Sequence, residues 1–364
     1  MDTRPAIFAG IPAVRSMARC GRALMRRTGL ENADMRAMVI DEFGGLEVFK
    51  EADIPVPALR SGHLLIRVLA AGVNPVDCLI RTMGPPFAPA LPAVLHGDVA
   101  GIVQSVASDV AAFRPGDEVY ACAGGVFGTG GALAEYMLAD AALVAHKPKS
   151  LSMREAAALP LVTITAWEGI FQRSRIKPGD AVLVQGGAGG VGHIAVQLAK
   201  QAGARVCTTV SSEKKMEVAR SLGADEVILY RSEDVKSYVD RLTGGRGFDV
   251  VFDTVGGANL AKSFEAAKLN GEVITTVALG KFDLAPVHLK GLSLHVIFML
   301  IPLIHGVNRT VHGDLLRDAA RLVDEGKLRP VLDPHEFSIR QVAEAHRLLE
   351  SGAALGKVVL HATP

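Results

Sequence analysis

AVLVQGGAGGVGHIAVQLAKQAGARVCTTV, residues 181–210, passes from an apolar strand through a glycine turn and a helix to a second strand. AVLVQ (181–185) and RVCTT (205–209) are the strands, and HIAVQLAKQAG between them spaces its apolar residues as a helix does. The turn carries GxGxxG at Gly187, Gly189 and Gly192. In such a motif Gly187 permits the tight turn, Gly189 lets the backbone approach a pyrophosphate, and Gly192 brings the helix close to the sheet. Gly187, Ala188, Gly189, Gly190, Val191 and Gly192 then form a candidate phosphate cradle at the positive end of the helix. A glycine turn kept for packing alone is the plainer alternative, and the strand–helix context argues against it.

Further strands are expected at EVIL (226–229), FDVVFD (248–253), EVITTV (272–277) and LSLHVIF (292–298), with helix-like segments between them. Six such strands predict a doubly wound parallel sheet of the α/β class. On the N-terminal side, MRAMVI (35–40), HLLIRVLAAGV (63–73), DVAGIVQSVA (98–107), DEVYACA (117–123) and GALAEYMLA (131–139) read as a mostly antiparallel β region. Residues 153–173 read as a helical stretch, residues 315–326 and 339–352 as two late helices, and KVVLHA (357–362) as a last strand returning to the first domain. The expected organisation is an extension over 1–34, a catalytic domain over 35–160 and 300–364, and a nucleotide-binding domain over 161–299.

Composition narrows the function. With 39 Lys+Arg against 38 Asp+Glu, the chain has no basic excess for nucleic acid. With 49% hydrophobic and 21% charged residues among 364, it can bury a core and is not globally disordered. Cys20, Cys78, Cys122 and Cys207 are scattered, as reduced thiols would be. LSLHVIFMLIPLI (292–304) is shorter than the roughly 18 residues a bilayer span needs, and reads as a buried strand followed by an apolar loop. Arg4, Arg15, Arg19, Arg22, Arg26 and Arg27 mark the extension as disordered or targeting. The expected compartment is the cytoplasm, or the mitochondrial matrix if the extension is a presequence.

After the second strand comes Thr208-Thr209-Val210-Ser211-Ser212-Glu213-Lys214-Lys215. No acid stands at the strand end to bind the ribose hydroxyls of NAD, whereas hydroxyls and lysines suit the 2′-phosphate of NADP(H). A solvated helix face accounts for at least one of Lys214 and Lys215.

These motifs, with AGVNPVDCLIR (71–81), GDVAG (97–101), RPGDEV, AALPLVTITAW, SSEKK, LGADEVI and FDTVGG, resemble the medium-chain dehydrogenase/reductase superfamily, in its zinc-free quinone oxidoreductase (zeta-crystallin-like) branch. The resemblance runs from Met35 to the C-terminus. It implies a GroES-like catalytic domain beside a Rossmann nucleotide domain, hydride transfer from NADPH to a quinone or α,β-unsaturated carbonyl, and a homodimer. By the same resemblance Ser211, Lys215 and Tyr230 fall at 2′-phosphate and adenosine contacts, and Asn74 and Thr165 near the nicotinamide. Asp253, Val255, Val277, Leu279 and Phe298 then line the cofactor cleft.

The zinc ligands of the alcohol dehydrogenase branch are replaced: Asn74 stands at the first Cys position and Gly97 at the His position, with His96 one residue out of register and better read as a hydrogen-bonded turn or cleft residue. Asp98 is a structural or cofactor-edge acid. Without a metal to acidify an alcohol, reduction of an electrophilic acceptor is the natural chemistry, with Asn74 donating to the developing oxyanion. The candidate catalytic residues are Asn74, Asp77 and Arg81, the last two explained equally by a salt bridge that shapes their loop. Tyrosines shortly after the Asn motif, frequent in such reductases, are absent, and Cys78 lacks an identifiable activating base. The alternatives are a non-catalytic NADPH-binding structural or regulatory protein and a zinc-dependent alcohol dehydrogenase.

Overall fold

The computed structural model describes residues 33–84 and 88–362, so the extension, Cys20 and the Pro85-Pro86 segment lie outside the described residues. The chain opens with the hairpin of β1 (Asp34–Ile40) and β2 (Phe49–Pro55). Then follow β3 (His63–Gly72), α1 (Pro75–Met83), β4 (Asp98–Val106), β5 (Glu118–Cys122), β6 (Tyr136–Asp140) and β7 (Val144–His146). Two short helices, α2 (Met153–Ala157) and α3 (Pro160–Trp167), lead through a π-helical turn (Glu168–Arg173) into the second half.

That half alternates β8 (Ala181–Gln185), α4 (Gly190–Gln201), β9 (Arg205–Val210), α5 (Glu213–Ser221), β10 (Glu226–Leu229), α6 (Val235–Thr243) and β11 (Phe248–Asp253). It continues with α7 (Leu260–Ala266), β12 (Ala267–Thr275), α8 (Ala285–Lys290) and β13 (Ser293–Val296). The chain closes with α9 (Ile301–His305), α10 (Thr310–Asp324), β14 (Phe337–Ser338), α11 (Val342–Glu350) and β15 (Val359–His361).

The six strands of the second half form one parallel sheet in the order β10-β9-β8-β11-β12-β13, as the alternating pattern predicts. Helices cover both faces, so the central strands carry uninterrupted apolar runs. Leu183, Val184, Val206, Val251 and Phe252 are fully buried, and each contributes roughly 1.5–3 kcal/mol. The other large sheet runs β14-β15-β3-β4-β5-β7, with β6 also on β3, and is antiparallel except at β14–β15. The chain's end therefore returns to the first sheet: β15 pairs with Ala70–Gly72 of β3. Both Pro-Gly turns close as their sequences require, with Asp117 N–H donating to Arg114 O at 3.2 Å and Asp180 N–H to Lys177 O at 3.0 Å.

Several local expectations need correction. The 153–173 segment is broken, because Pro160 has no N–H to continue a helix and begins a new one. β2 escapes an apolar-pattern reading since FKEADIP lies mostly exposed against β1. β12 starts five residues earlier than EVITTV. The 292–304 segment holds a half-exposed edge strand rather than a buried one, and its continuation forms the helix α9 rather than a loop. Among the described residues, no helix is long and apolar enough to cross a membrane.

Candidate active site

β8 delivers the glycine turn to the carboxyl edge of the parallel sheet, where the strand order reverses between β8 and β11. Gly186, at φ +79°, makes the turn, a role expected of Gly187. Gly187 is required for a different reason: a Cβ there would lie 1.9 Å from Thr208 Oγ1, which is itself held by donating to Val184 O at 2.6 Å. At Gly192 a Cβ would lie 2.1 Å from Gly186 O, so α4 packs directly on the turn. The first bond of α4 runs from His193 N–H to Gly189 O at 3.1 Å, leaving the N–H groups of Gly190, Val191 and Gly192 without acceptors inside the helix. These are the donors an anion at this end would use.

Beside the turn, Thr209 Oγ1 accepts from Gly186 N–H at 3.1 Å. Ser212 caps α5, while Ser211 is half-buried ahead of it. Lys214 is exposed; Lys215 is half-buried and donates to Gly352 O at 3.2 Å. Burial, then the nearby Arg231, lowers the Lys215 pKa. Tyr230, Thr209, Gly186 and Val255 join in lining a cavity of about 720 Å³. Val255, Val277, Leu279 and Phe298 expose apolar surface at or just beyond the ends of β11, β12 and β13. Asp253, fully buried, holds the Val255 segment by accepting from the N–H groups of Val255 and Gly256, both at 2.8 Å.

A second group of residues meets between the end of β3, the start of β4 and the residues just before β15. Asn74 precedes α1, and its N–H donates to Asp77 Oδ2 at 2.7 Å. Its side-chain Nδ2 donates to Asp98 Oδ2 at 2.8 Å, and its Oδ1 accepts from Lys357 Nζ at 2.5 Å. Lys357 also donates to Val73 O at 2.9 Å and lies 3.3 Å from Asp98 Oδ2. Asp98 Oδ1 accepts from Leu161 N–H at 2.8 Å, fixing the start of α3. Thr165, buried on that helix, donates its hydroxyl back to Leu161 O at 2.8 Å. Asn74, Asp77, Asp98 and Lys357 are all buried. Burial, followed by the Asp98 charge, pushes Asp77 up to about 7, against the opposing pull of Asn74 and Lys357.

The chain is similar to known oxidoreductases along most of its length. A family model described as alcohol dehydrogenase GroES-like domain matches residues 60–149, and one described as zinc-binding dehydrogenase matches residues 222–360. The NADPH-dependent alkenal/one oxidoreductase of Arabidopsis thaliana is 36% identical, over 91% of this chain and 80% of its own. The quinone oxidoreductase of Pongo abelii is 31% identical, over 90% of this chain and 97% of its own. A solved alcohol dehydrogenase superfamily protein from Novosphingobium aromaticivorans superposes with a TM-score of 0.85 at 38% identity, covering 90% of this chain and all of that one. This chain belongs to the medium-chain dehydrogenase/reductase superfamily, in its quinone oxidoreductase branch. It is an oxidoreductase.

One of the superfamily models carries zinc in its description, but the residues present do not fit that metal. Among the described residues no group of three or more His, Cys, Asp or Glu side chains is arranged to hold one. Cys122 is buried and lies against Gly97, which brings no side chain to share a metal with it. The oxygens of Asn74, Asp98 and Val73 that could face a cation already face the Lys357 ammonium. His96 pairs with His346, Nε2 to Nε2 at 2.8 Å, both rings buried and held neutral by that burial.

Within this superfamily member the three candidate catalytic side chains do not converge. Asn74 and Asp77 meet, but Arg81 turns away to Gly44 O at 3.0 Å and to the Glu350 carboxylate. The expected salt bridge between Asp77 and Arg81 is not formed: Arg81 pairs with Glu350 and joins α1 to α11, while Asp77 accepts from Asn74 N–H. Cys78 is a buried thiol with its pKa pushed up by that burial, and Cys78, Cys122 and Cys207 are free. Lys357 was not among the sequence candidates. Its signal is a cation inside the apolar strand-like run KVVL, where charge needs a buried partner.

Proposed function

We propose that this oxidoreductase transfers hydride from NADPH to a quinone or to the β-carbon of an α,β-unsaturated carbonyl, without zinc. The observation that carries the reading is the glycine turn with free helix N–H groups, flanked by Ser211 and Lys215 and by no carboxylate at the end of β9. The Arabidopsis relative named as NADPH-dependent and the Pongo quinone oxidoreductase support it.

Gly190, Val191 and Gly192 would hold the diphosphate, Ser211 and Lys215 the 2′-phosphate, and Tyr230 and Val255 the adenosine; Ala188 and Gly189 complete the cradle. Asn74 and Thr165 would flank the nicotinamide, with Val277, Leu279 and Phe298 walling its cleft. The bound cofactor supplies the hydride. Asn74 has one Nδ2 hydrogen beyond the one given to Asp98, and that donor steadies the oxyanion that develops on the acceptor. Asp77, titrating near neutrality, holds a proton beside it. Arg81 acts at one remove, anchoring α1 to Gly44 and α11.

The substrate is a small hydrophobic electrophile. The reading includes a homodimer, supported by the exposed edge of β13 in the parallel sheet. Mixing the protein with NADPH and a panel of quinones and enals, while following loss of the reduced-nicotinamide absorbance, tests the activity. Oxidation in the presence of acceptor is expected without added metal and in the presence of chelator. Tight NADPH binding with no turnover across the panel would favour a non-catalytic nucleotide-binding role.

A further inference from the structure

We propose that Lys357 is a positioning residue that fixes which way the Asn74 amide faces and ties that orientation to the glycine turn. The inference rests on the role given to Asn74 above. An amide is nearly symmetric in shape, so its neighbours' chemistry must choose between its two flips. Lys357 is a donor only and Asp98 an acceptor only. Together they place Oδ1 toward the ammonium, at 2.5 Å, and Nδ2 toward the carboxylate, at 2.8 Å. The flipped amide would set N–H against N–H and oxygen against oxygen.

Both brackets are themselves held. Asp98 accepts from Leu161 N–H, and the three ammonium protons of Lys357 face Asn74, Val73 and Asp98. The Lys357 backbone is clamped to Val331 O at 2.8 Å, and its carbonyl accepts from Asp333 N–H at 2.8 Å. The preceding residue, Gly356, donates its N–H to Ala188 O at 2.8 Å, on the glycine turn itself. A Cβ on Gly190 would lie 3.6 Å from Lys357 Cδ. A chain of contacts therefore runs from the phosphate-side turn through Gly356 and Lys357 to Asn74, aligning the two ends of the cofactor site.

The test measures kcat, KM for acceptor, the NADPH dissociation constant and the melting temperature in Lys357→Met, Lys357→Gln and the pair Lys357→Met/Asp98→Asn, with Asn74→Ala alongside. Lys357→Met leaves Asp98 buried without its cation and melts earlier. The double variant removes both charges and regains melting temperature. Its kcat stays at least about tenfold below wild type, as a displaced contact group predicts, while NADPH affinity changes by less than about threefold. Lys357→Gln, which keeps a donor for Asn74 Oδ1, turns over faster than Lys357→Met. In Lys357→Met the neutral limb of the kcat–pH profile moves to higher pH, because a cation near Asp77 is gone.

A double variant that folds and turns over at the wild-type rate overturns the proposal, as does a Gln variant no faster than Met. If Asn74→Ala is slow while the double variant is fast, only the coupling through Lys357 fails. If Asn74→Ala is as fast as wild type, the role of Asn74 fails and the inference with it.

Discussion

The glycine turn and the Asn74 cluster, the two halves of the proposed site, are built by opposite means. The turn uses backbone groups and missing side chains, and its parts lie within a few residues of Gly186. The cluster uses buried polar and charged side chains, drawn from positions as distant as Asn74 and Lys357, 283 residues apart. One is specified by local geometry, the other only when the chain's end returns to β3. A phosphate cradle can be made of any backbone that exposes N–H groups. A group that must donate along one line at one moment needs side chains with fixed chemistry on each flank.

The contrast breaks most visibly at Gly192. A Cβ there meets backbone rather than a movable side chain, so Gly192→Ala should cost folding or reduce NADPH affinity by at least about a hundredfold. Circular dichroism and a binding titration measure both. Wild-type affinity in this variant would show that α4 does not pack on the turn as described.

In the cluster the largest effect is electrostatic. Asp77 titrates at about 7 in the fold against an ordinary value of 3.8. A carboxyl with a raised folded pKa adds stability that is complete below the unfolded pKa and is lost as pH rises through the folded one. Asp77 therefore penalises the fold increasingly from about pH 4 to 7, by on the order of 2–4 kcal/mol once ionised. Asp77→Asn should flatten this part of the stability–pH curve and erase the neutral limb of the kcat profile. Urea titrations at several pH values check the first effect and steady-state kinetics the second. The buried His96–His346 pair acts in the opposite direction: with folded pKa values held low by burial, its stability is present above about pH 6.5 and is lost as the solution is acidified. Comparing the acid arms of wild type and His346→Phe separates the two contributions.

Smaller effects distinguish phosphate recognition from structure. Lys215→Ala should weaken NADPH by about tenfold while leaving NADH unchanged, the value of one charge-assisted contact. Smallest in stability is Gly189→Ala, where the new Cβ would lie 3.2 Å from Gly186 O. Its melting temperature should stay near wild type, yet NADPH affinity should fall as the methyl meets the diphosphate. An unchanged affinity would move the diphosphate away from Gly189.

The parallel sheet, the glycine turn and the β-rich first half were legible because each rests on short-range signals: an apolar strand, a GxGxxG spacing, a Pro-Gly turn. Gly186, rather than Gly187, makes the turn, since successive glycines leave the position of positive φ undetermined by spacing. β2 was hidden because its side chains are mostly solvated. Asn74 and Asp77 were visible through their local motif, but Lys357 was not, because its partners are supplied by the distant β3–α1 and β4 segments. The Glu350 partner of Arg81 was hidden for the same reason.

The most direct measurement is an equilibrium titration of the full chain with NADPH and with NADH. Saturable binding of NADPH, at least about tenfold tighter than NADH and weakened toward the NADH value by Lys215→Ala, is predicted. Affinity for neither nucleotide, or a clear preference for NADH, would contradict the account.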